Sequence, residues 1–185
     1  MKSSALFSAL VFTLAALAGR TAHARLGETE AQSQARYGSP VDGMLGGDEK
    51  PLIAGALEKV YNFDGWRIRA AFVAGVTVRI QYVHIEGSAP KKLSEAETKV
   101  ILDAEKGRFA WREERQKSAG IAADIEKAIK AGFNLSKWER TDHAKAEMVM
   151  GIAMQFSARE AEDIEKKLSK GAAKATPPPP VVPKF

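Results

Sequence analysis

From Trp66 to Tyr82 the chain alternates apolar and polar residues. Trp66, Ile68, Ala70 and Phe72 share one parity around Arg67 and Arg69, and Val76, Val78, Ile80 and Tyr82 repeat the pattern around Thr77, Arg79 and Gln81. A period of two sends each set to one face of a sheet. Val60–Phe63 precedes this stretch across Asp64-Gly65, a pair suited to a tight hairpin turn. Phe63 is then expected opposite Trp66, and Tyr61 opposite Ile68. For the next turn, a two-residue Ala74-Gly75 loop would set the two apolar faces on opposite sides. A three-residue loop, Val73-Ala74-Gly75, aligns them, pairing Phe72 with Val76 and Ile68 with Ile80, and is the expected form.

Helical patterning flanks this meander. Thr29-x-x-Gln32 is a capping box closed by Tyr37-Gly38-Ser39-Pro40, and Ser94-x-x-Glu97 opens a second helix with Ala96, Val100, Ile101 and Ala104 on one face and Gly107 as its stop. Ile121, Ile125, Ala128 and Ile129 predict a third helix ending at Gly132. Ser157-x-x-Glu160 predicts a fourth to about Lys170, with Ala161, Ile164 and Leu168 inward. Between these last two, Lys137–Thr141 reads as extended and Asp142-His143 as a turn. Ala144, Ala146, Met148, Met150, Ile152, Met154 and Phe156 keep one parity across Gly151, which favours a single long or bent strand. The chain is therefore expected to be α+β: an antiparallel sheet of about five strands, including a three-strand meander at 58–85, packed by helices on one face.

Residues 1–24 have a different character. Lys2, the uncharged run Ala5–Leu17, and Ala22-His23-Ala24 as a small-x-small site read as a secretory signal peptide cleaved after Ala24. The run is short for a membrane span, which needs about 20 residues. The expected organisation is a leader at 1–24, one domain at 25–170 and a disordered Pro-rich tail at 171–185, whose run of four prolines cannot build a core. The mature chain is expected to carry no transmembrane segment.

Composition narrows the function classes. Lys2 and Arg20 fall in the leader, leaving 26 basic residues against 23 acidic ones, a formal +3. That excess is spread among acids instead of forming a basic stripe with interleaved aromatics, so no nucleic-acid partner is expected. The chain has no cysteine, which excludes disulfides, thiolate metal sites, a cysteine nucleophile and a lipid-modified N-terminal cysteine.

Gly27, Thr29, Gln32, Gly38 and Pro40 match the spacing of the helix motif in the small outer-membrane assembly lipoproteins, the SmpA/OmlA (BamE) family. That motif reads Gly-x-Thr-x-x-Gln, an apolar residue, three more, then Leu-Gly-x-Pro, and here Tyr37 takes the Leu place. Leu26–Tyr82 resembles that family's helix followed by a meander. Ser33 stands where the family has an apolar residue, no lipobox cysteine is present, and the second half has no counterpart there. The resemblance implies a helix-and-meander arrangement. The whole chain also resembles small uncharacterised exported bacterial proteins.

Candidate chemistry is sparse. Asp142-His143 brings a carboxylate beside an imidazole, but neighbours in a turn point apart, and no Gly-x-Ser-x-Gly elbow supplies a nucleophile. His84 and Glu86 share a strand face, yet zinc takes three or four ligands and the mature chain offers one other histidine, His143. Asp42–Asp48 is glycine-rich but acidic where a phosphate cradle needs Lys and Ser or Thr, so it reads as a connector. Glu113 and Glu114, read as neighbours on a helix, diverge. Trp66 and the Met148/Met150/Met154 stripe read as core. Trp111, just past a helix stop, is the candidate partner contact.

No catalytic, metal-binding or cofactor-binding residue is assigned. The expected function is a non-catalytic exported interaction or structural protein of the bacterial envelope, periplasmic or extracellular, with an envelope protein or an anionic surface as partner. The alternatives are a weakly basic module binding an anionic envelope polymer, and a hydrolase whose site is assembled from distant segments.

Overall fold

The computed structural model describes residues 25–41, 50–114 and 136–174. Helix α1 (Glu30–Tyr37) begins at Thr29, whose hydroxyl accepts from Gln32 N while Gln32 Oε1 accepts from Thr29 N, so the capping box forms as expected. It buries Tyr37 and also Ser33, the polar residue at the motif's apolar position. Strand β1 (Leu57–Phe63) turns through Asp64 and Gly65, both at positive φ (49° and 77°), into β2 (Trp66–Val73). The register is the expected one: Phe63 opposite Trp66 and Tyr61 opposite Ile68.

The next turn departs from expectation. Strand β3 (Val76–Glu86) follows a two-residue loop, with Val73 opposite Val76 and Ala74 and Gly75 both at positive φ (50° and 80°). The mirror-image turn matches the right-handed twist of the strands, which offsets the cost of a left-handed alanine. The parity problem is solved by a β-bulge. Phe72 pairs with Thr77 and Ala71 with Arg79, so Val78 is an extra residue in the ladder. A bulge flips every side chain beyond it. Ile80 and Tyr82 thus join Ile68, Ala70 and Phe72 in one cluster, while Val78 packs on the other side of the sheet. Ile68 consequently faces Tyr82 and not Ile80.

A short strand β4 (Ala89–Pro90) returns on β3, and Ser94 caps α2 (Glu95–Glu105) through a second capping box with Glu97. The inward line of α2 is Ile101 and Glu105, one turn apart, whereas Val100 is 68% exposed, so the expected apolar face is displaced. After Trp111–Glu113 (β5) come Lys137–Arg140 (β6), Lys145–Val149 (β7) and Ala153–Ser157 (β8). Glu113 thus ends a strand, not a helix turn. The expected long strand at 144–156 is a hairpin, with Met148 opposite Met154, Val149 opposite Ala153, and Met150 exposed in the turn. A three-residue loop preserves parity across a hairpin, so the alternation that suggested one strand fits two equally well. The last helix, α3, runs Ala161–Lys174, four residues beyond its expected end. Ser157 belongs to β8, and its hydroxyl accepts from Arg79 Nε (3.0 Å) instead of capping the helix.

All strand pairings are antiparallel, and the sheet order is β1-β2-β3-β8-β7-β6-β5, with β4 beside β3. The fold is α+β as expected, but the sheet has eight strands among the described residues. Its centre is the β3–β8 pair, where Ile80 faces Phe156 and Tyr82 faces Met154. Helices lie on both faces and not on one. Tyr37 of α1 and Ile101 of α2 join the cluster containing Ala70, while Ala161, Ile164 and Leu168 of α3, with Leu52 and Ile53, pack on Ala71 and Val78. Consecutive residues Ala70 and Ala71 face opposite ways, so these are two separate cores. The expected helix at 121–132, the leader, the glycine-rich stretch 42–48 and residues 175–185 lie outside the described residues.

Ala74 is exposed and holds a left-handed conformation that asparagine tolerates better. Ala74→Asn is expected to stabilise the fold by about 0.5–1 kcal/mol. Thermal unfolding checks it, and an unchanged or lower midpoint would contradict the turn assignment.

Candidate functional site

The residues leading into α1 are stitched to the start of β3. Gly27 N donates to Thr77 O and Thr77 N to Glu28 O, both at 2.8 Å, and Leu26 is buried. This pairing carries Arg25 onto the inner face. Its Nη1 donates to Tyr82 Oη (2.9 Å), and its guanidinium carbon lies 5.5 Å and 5.3 Å from the ring centres of Tyr37 and Tyr82. Tyr82 donates to Glu105 Oε1 (2.5 Å), and Arg25 Nε stands 3.9 Å from the same oxygen. A phenol has one proton to give, so the Tyr37–Tyr82 bond (3.0 Å) runs from Tyr37 to Tyr82.

Glu105 is fully buried, and Arg140 Nη1 donates to its backbone carbonyl (2.5 Å). Arg140 also forks onto Asp142, with both bonds at 2.8 Å, and its guanidinium carbon lies 5.3 Å from the centre of the Trp111 ring. Burial pushes the Glu105 carboxyl above its ordinary range, against the Tyr82 hydrogen bond and the Arg25 and Arg140 charges. Burial, with the nearby Glu105 charge, holds the Tyr82 phenol well above its usual value, so it stays a donor at neutral pH. Glu105 Oε2 and Tyr61 Oη are buried with no hydrogen-bond partner among the described residues. The cluster is closed around its own members, and its chemistry is structural: it holds a proton and a charge pair at the junction of five segments.

The residues singled out by sequence do not converge. Asp142 binds Arg140, while His143 Nδ1 turns to Glu139 Oε1 (2.8 Å), so the neighbours point apart as expected. His84 Nδ1 meets Glu97 Oε1 (2.6 Å), and its ring stacks on Trp66 at 4.6 Å. Glu97 is held down at about 2, first by its hydrogen bonds from Ser94 and then by His84 and Lys91. Among the described residues, no group of three or more His, Cys, Asp or Glu is placed to hold a metal. Trp111 is half-buried: its indole donates to Leu102 O (2.9 Å) and its ring meets Phe156 edge-on at 5.5 Å. Ala22 and Ala24 lie outside the described residues.

On the opposite face, a cleft of about 220 Å³ lies between β6–β8 and the start of α3. Arg79, Lys137, Lys145 and Arg159 line it against Glu114, Glu147 and Glu162. Its charges are largely paired within the protein, Lys145 with Glu162 (2.7 Å), Lys137 with Glu147 (4.0 Å) and Arg79 with Glu165 (3.0 Å).

Sequence reasoning missed Glu105, Arg140 and Arg25. Two signals were available. Glu105 lies one helical turn after Ile101, and Arg140 shares the parity of Trp138. A charge on an apolar stripe is the mark of a buried pair. No protein-family model matches the chain, and neither curated proteins nor solved structures give a match.

Arg25→Ala leaves Glu105 buried without its nearest cation and is expected to cost about 3 kcal/mol. Adding Glu105→Gln should recover most of that loss, because no uncompensated charge remains; urea unfolding of the double-mutant cycle measures it. The folded carboxyl keeps its proton to higher pH than the unfolded one. Stability from this group therefore falls as pH rises from about 4.3 through the raised value, and Glu105→Gln removes that slope. Trp111→Phe, which keeps a ring and loses the bond to Leu102, is expected to cost about 1 kcal/mol in the same assay.

Proposed function

We propose that the chain is a non-catalytic, exported interaction or structural module of the bacterial envelope, acting in the periplasm or outside the cell. The observation that carries this reading is the position of Arg25 and Leu26 directly after Ala22-His23-Ala24. Leu26 is in the core, and Arg25 joins the buried Tyr82–Glu105 cluster. Cleavage after Ala24 would therefore leave Leu26 in the core and Arg25 in its cluster.

The polar groups support binding over catalysis. Asp142, His143 and His84 are each committed to a neighbour that fixes a turn, a strand pair or a helix cap. The cleft on the second face carries paired charges of both signs, which suits a partner with mixed charge better than a uniformly anionic polymer. The Thr29–Gln32 capping box leading to the β1–β3 meander agrees with the arrangement implied by the SmpA/OmlA resemblance.

Expression in a bacterium with the chain's own first 24 residues tests the reading through intact mass and fractionation. The expected product begins at Arg25 and is soluble outside the cytoplasm. A full-length cytoplasmic product would overturn the proposal, and a full-length membrane-bound one would make residues 5–17 an anchor.

A further inference from the structure

The cleft on the second face has a floor set by strand register. Lys137 pairs with Glu147 and Glu147 with Gln155, and Glu114, just past the end of β5, donates its N–H to Lys137 O (2.9 Å). Directly paired residues project from the same face, so these side chains form one row across β6, β7 and β8. In the next row Lys145 pairs with Ser157, and Ser157 with Arg79. The cleft lies over both rows and reaches Arg159, two residues before α3. Most of its charges are already engaged. Lys145 holds Glu162, Lys137 stands by Glu147, and Arg79 spans Glu165, Ser157 Oγ and Leu52 O. Two are not. The side chains of Arg159 and Glu114 are exposed and make no hydrogen bond or ion pair among the described residues.

An engaged charge must give up a partner to bind a ligand, whereas a free one only gains. The two free charges have opposite signs and approach from opposite sides. Arg159 follows β8 and Glu114 follows β5, and those strands lie three sheet spacings apart, about 14 Å. Both side chains reach inward to line the cleft, so the gap between their charges is shorter than that. An extended peptide of two or three residues covers about 7–10 Å. The floor between them offers one donor and one acceptor. Ser157 Oγ accepts from Arg79 Nε and keeps its own proton to give. Gln155 Nε2 donates to Glu147 Oε1 (2.9 Å) and keeps its carbonyl oxygen to accept. A peptide unit presents the matching C=O and N–H. A polyanion would instead meet Glu114, Glu147 and Glu162, and a polycation would meet Arg79, Lys145 and Arg159.

Taking the chain as a binding module, but independently of its export, we propose that this cleft binds a short peptide with free termini. The peptide carboxylate lies on Arg159, its ammonium on Glu114, and a peptide unit over Ser157 and Gln155.

Calorimetric titration of the full chain with trialanine is the test, and saturable one-to-one binding is expected. N-acetylation and C-terminal amidation of the peptide should each weaken binding about tenfold. Glu114→Gln should weaken trialanine to the same degree yet leave the acetylated peptide unchanged, and Arg159→Gln should do the same with the amidated one. Both positions are exposed, so thermal unfolding of the two variants should match that of the unaltered chain. Absence of saturable binding, a blocked terminus without effect, or variants that bind trialanine as the unaltered chain does would overturn the site. Acetate binding as tightly as trialanine would make the cleft a simple anion site and overturn the peptide assignment. None of these outcomes alters the intact mass or fractionation of the chain, so failure of the site and failure of the export reading are told apart.

Discussion

A carboxylate with no access to water is the constraint on which the rest of this structure depends. Glu105 is fully buried at the end of α2, and a charge in such a place must be paired or kept protonated. Its partners come from far along the chain: Tyr82 from the centre of the sheet, Arg25 from the segment before α1, and Tyr37 through Tyr82. Arg140 of β6 takes the backbone carbonyl of the same residue and so closes the C-terminal end of α2. One residue thus fixes the entry of α1, the inward line of α2 and the approach of the second half of the sheet. The same demand explains why Val100 is outside. Once Glu105 faces Tyr82, Ile101 is inward and Val100 must turn away.

The second face of the sheet follows a different logic. Arg69 and Arg79 alternate with apolar residues, as solvent-facing positions of a one-sided sheet would, yet both are buried. Arg69 spans Glu58 (2.7 Å) and Lys50 O (2.8 Å), and Arg79 spans Leu52 O (2.6 Å) and Ser157 Oγ (3.0 Å). A guanidinium has five N–H donors in a rigid fork, enough to satisfy the irregular backbone of a covering loop as well as a side chain. The arginines therefore let residues 50–56 and α3 lie over a polar sheet face. They also bring Leu52 and Ile53 onto Ala71 and Val78, giving the sheet its second core.

Local chemistry was legible at most places where its cause was local, but not at Ser157-x-x-Glu160, where pairing with β3 takes Ser157 into β8. Both capping boxes, the Asp64-Gly65 hairpin and its register, the Asp142-His143 turn and the divergence of its side chains depend on residues within a few positions of one another. The failures share a cause as well. Parity constrains which residues face together but does not distinguish a bulge from a longer loop, nor one strand from a hairpin with an odd loop. The Ala74-Gly75 turn used the first ambiguity and the Met150 turn the second. At the candidate sites, the divergence of Asp142 and His143 could be read from the chain, but the joining of Arg25 to Glu105 could not.

The sequence by itself determined where α1 and α2 begin, which residues alternate, and that no thiol chemistry is available, because composition and near-neighbour hydrogen bonding set these properties. Only the tertiary structure decided that the sheet has two covered faces, that Glu105 is inside, that Trp111 points its indole at Leu102, and that Glu114 and Arg159 line one cleft. Each of these depends on pairings between distant segments. Such pairings are selected by the joint cost of burying every polar group they bring together, and no single segment carries that information.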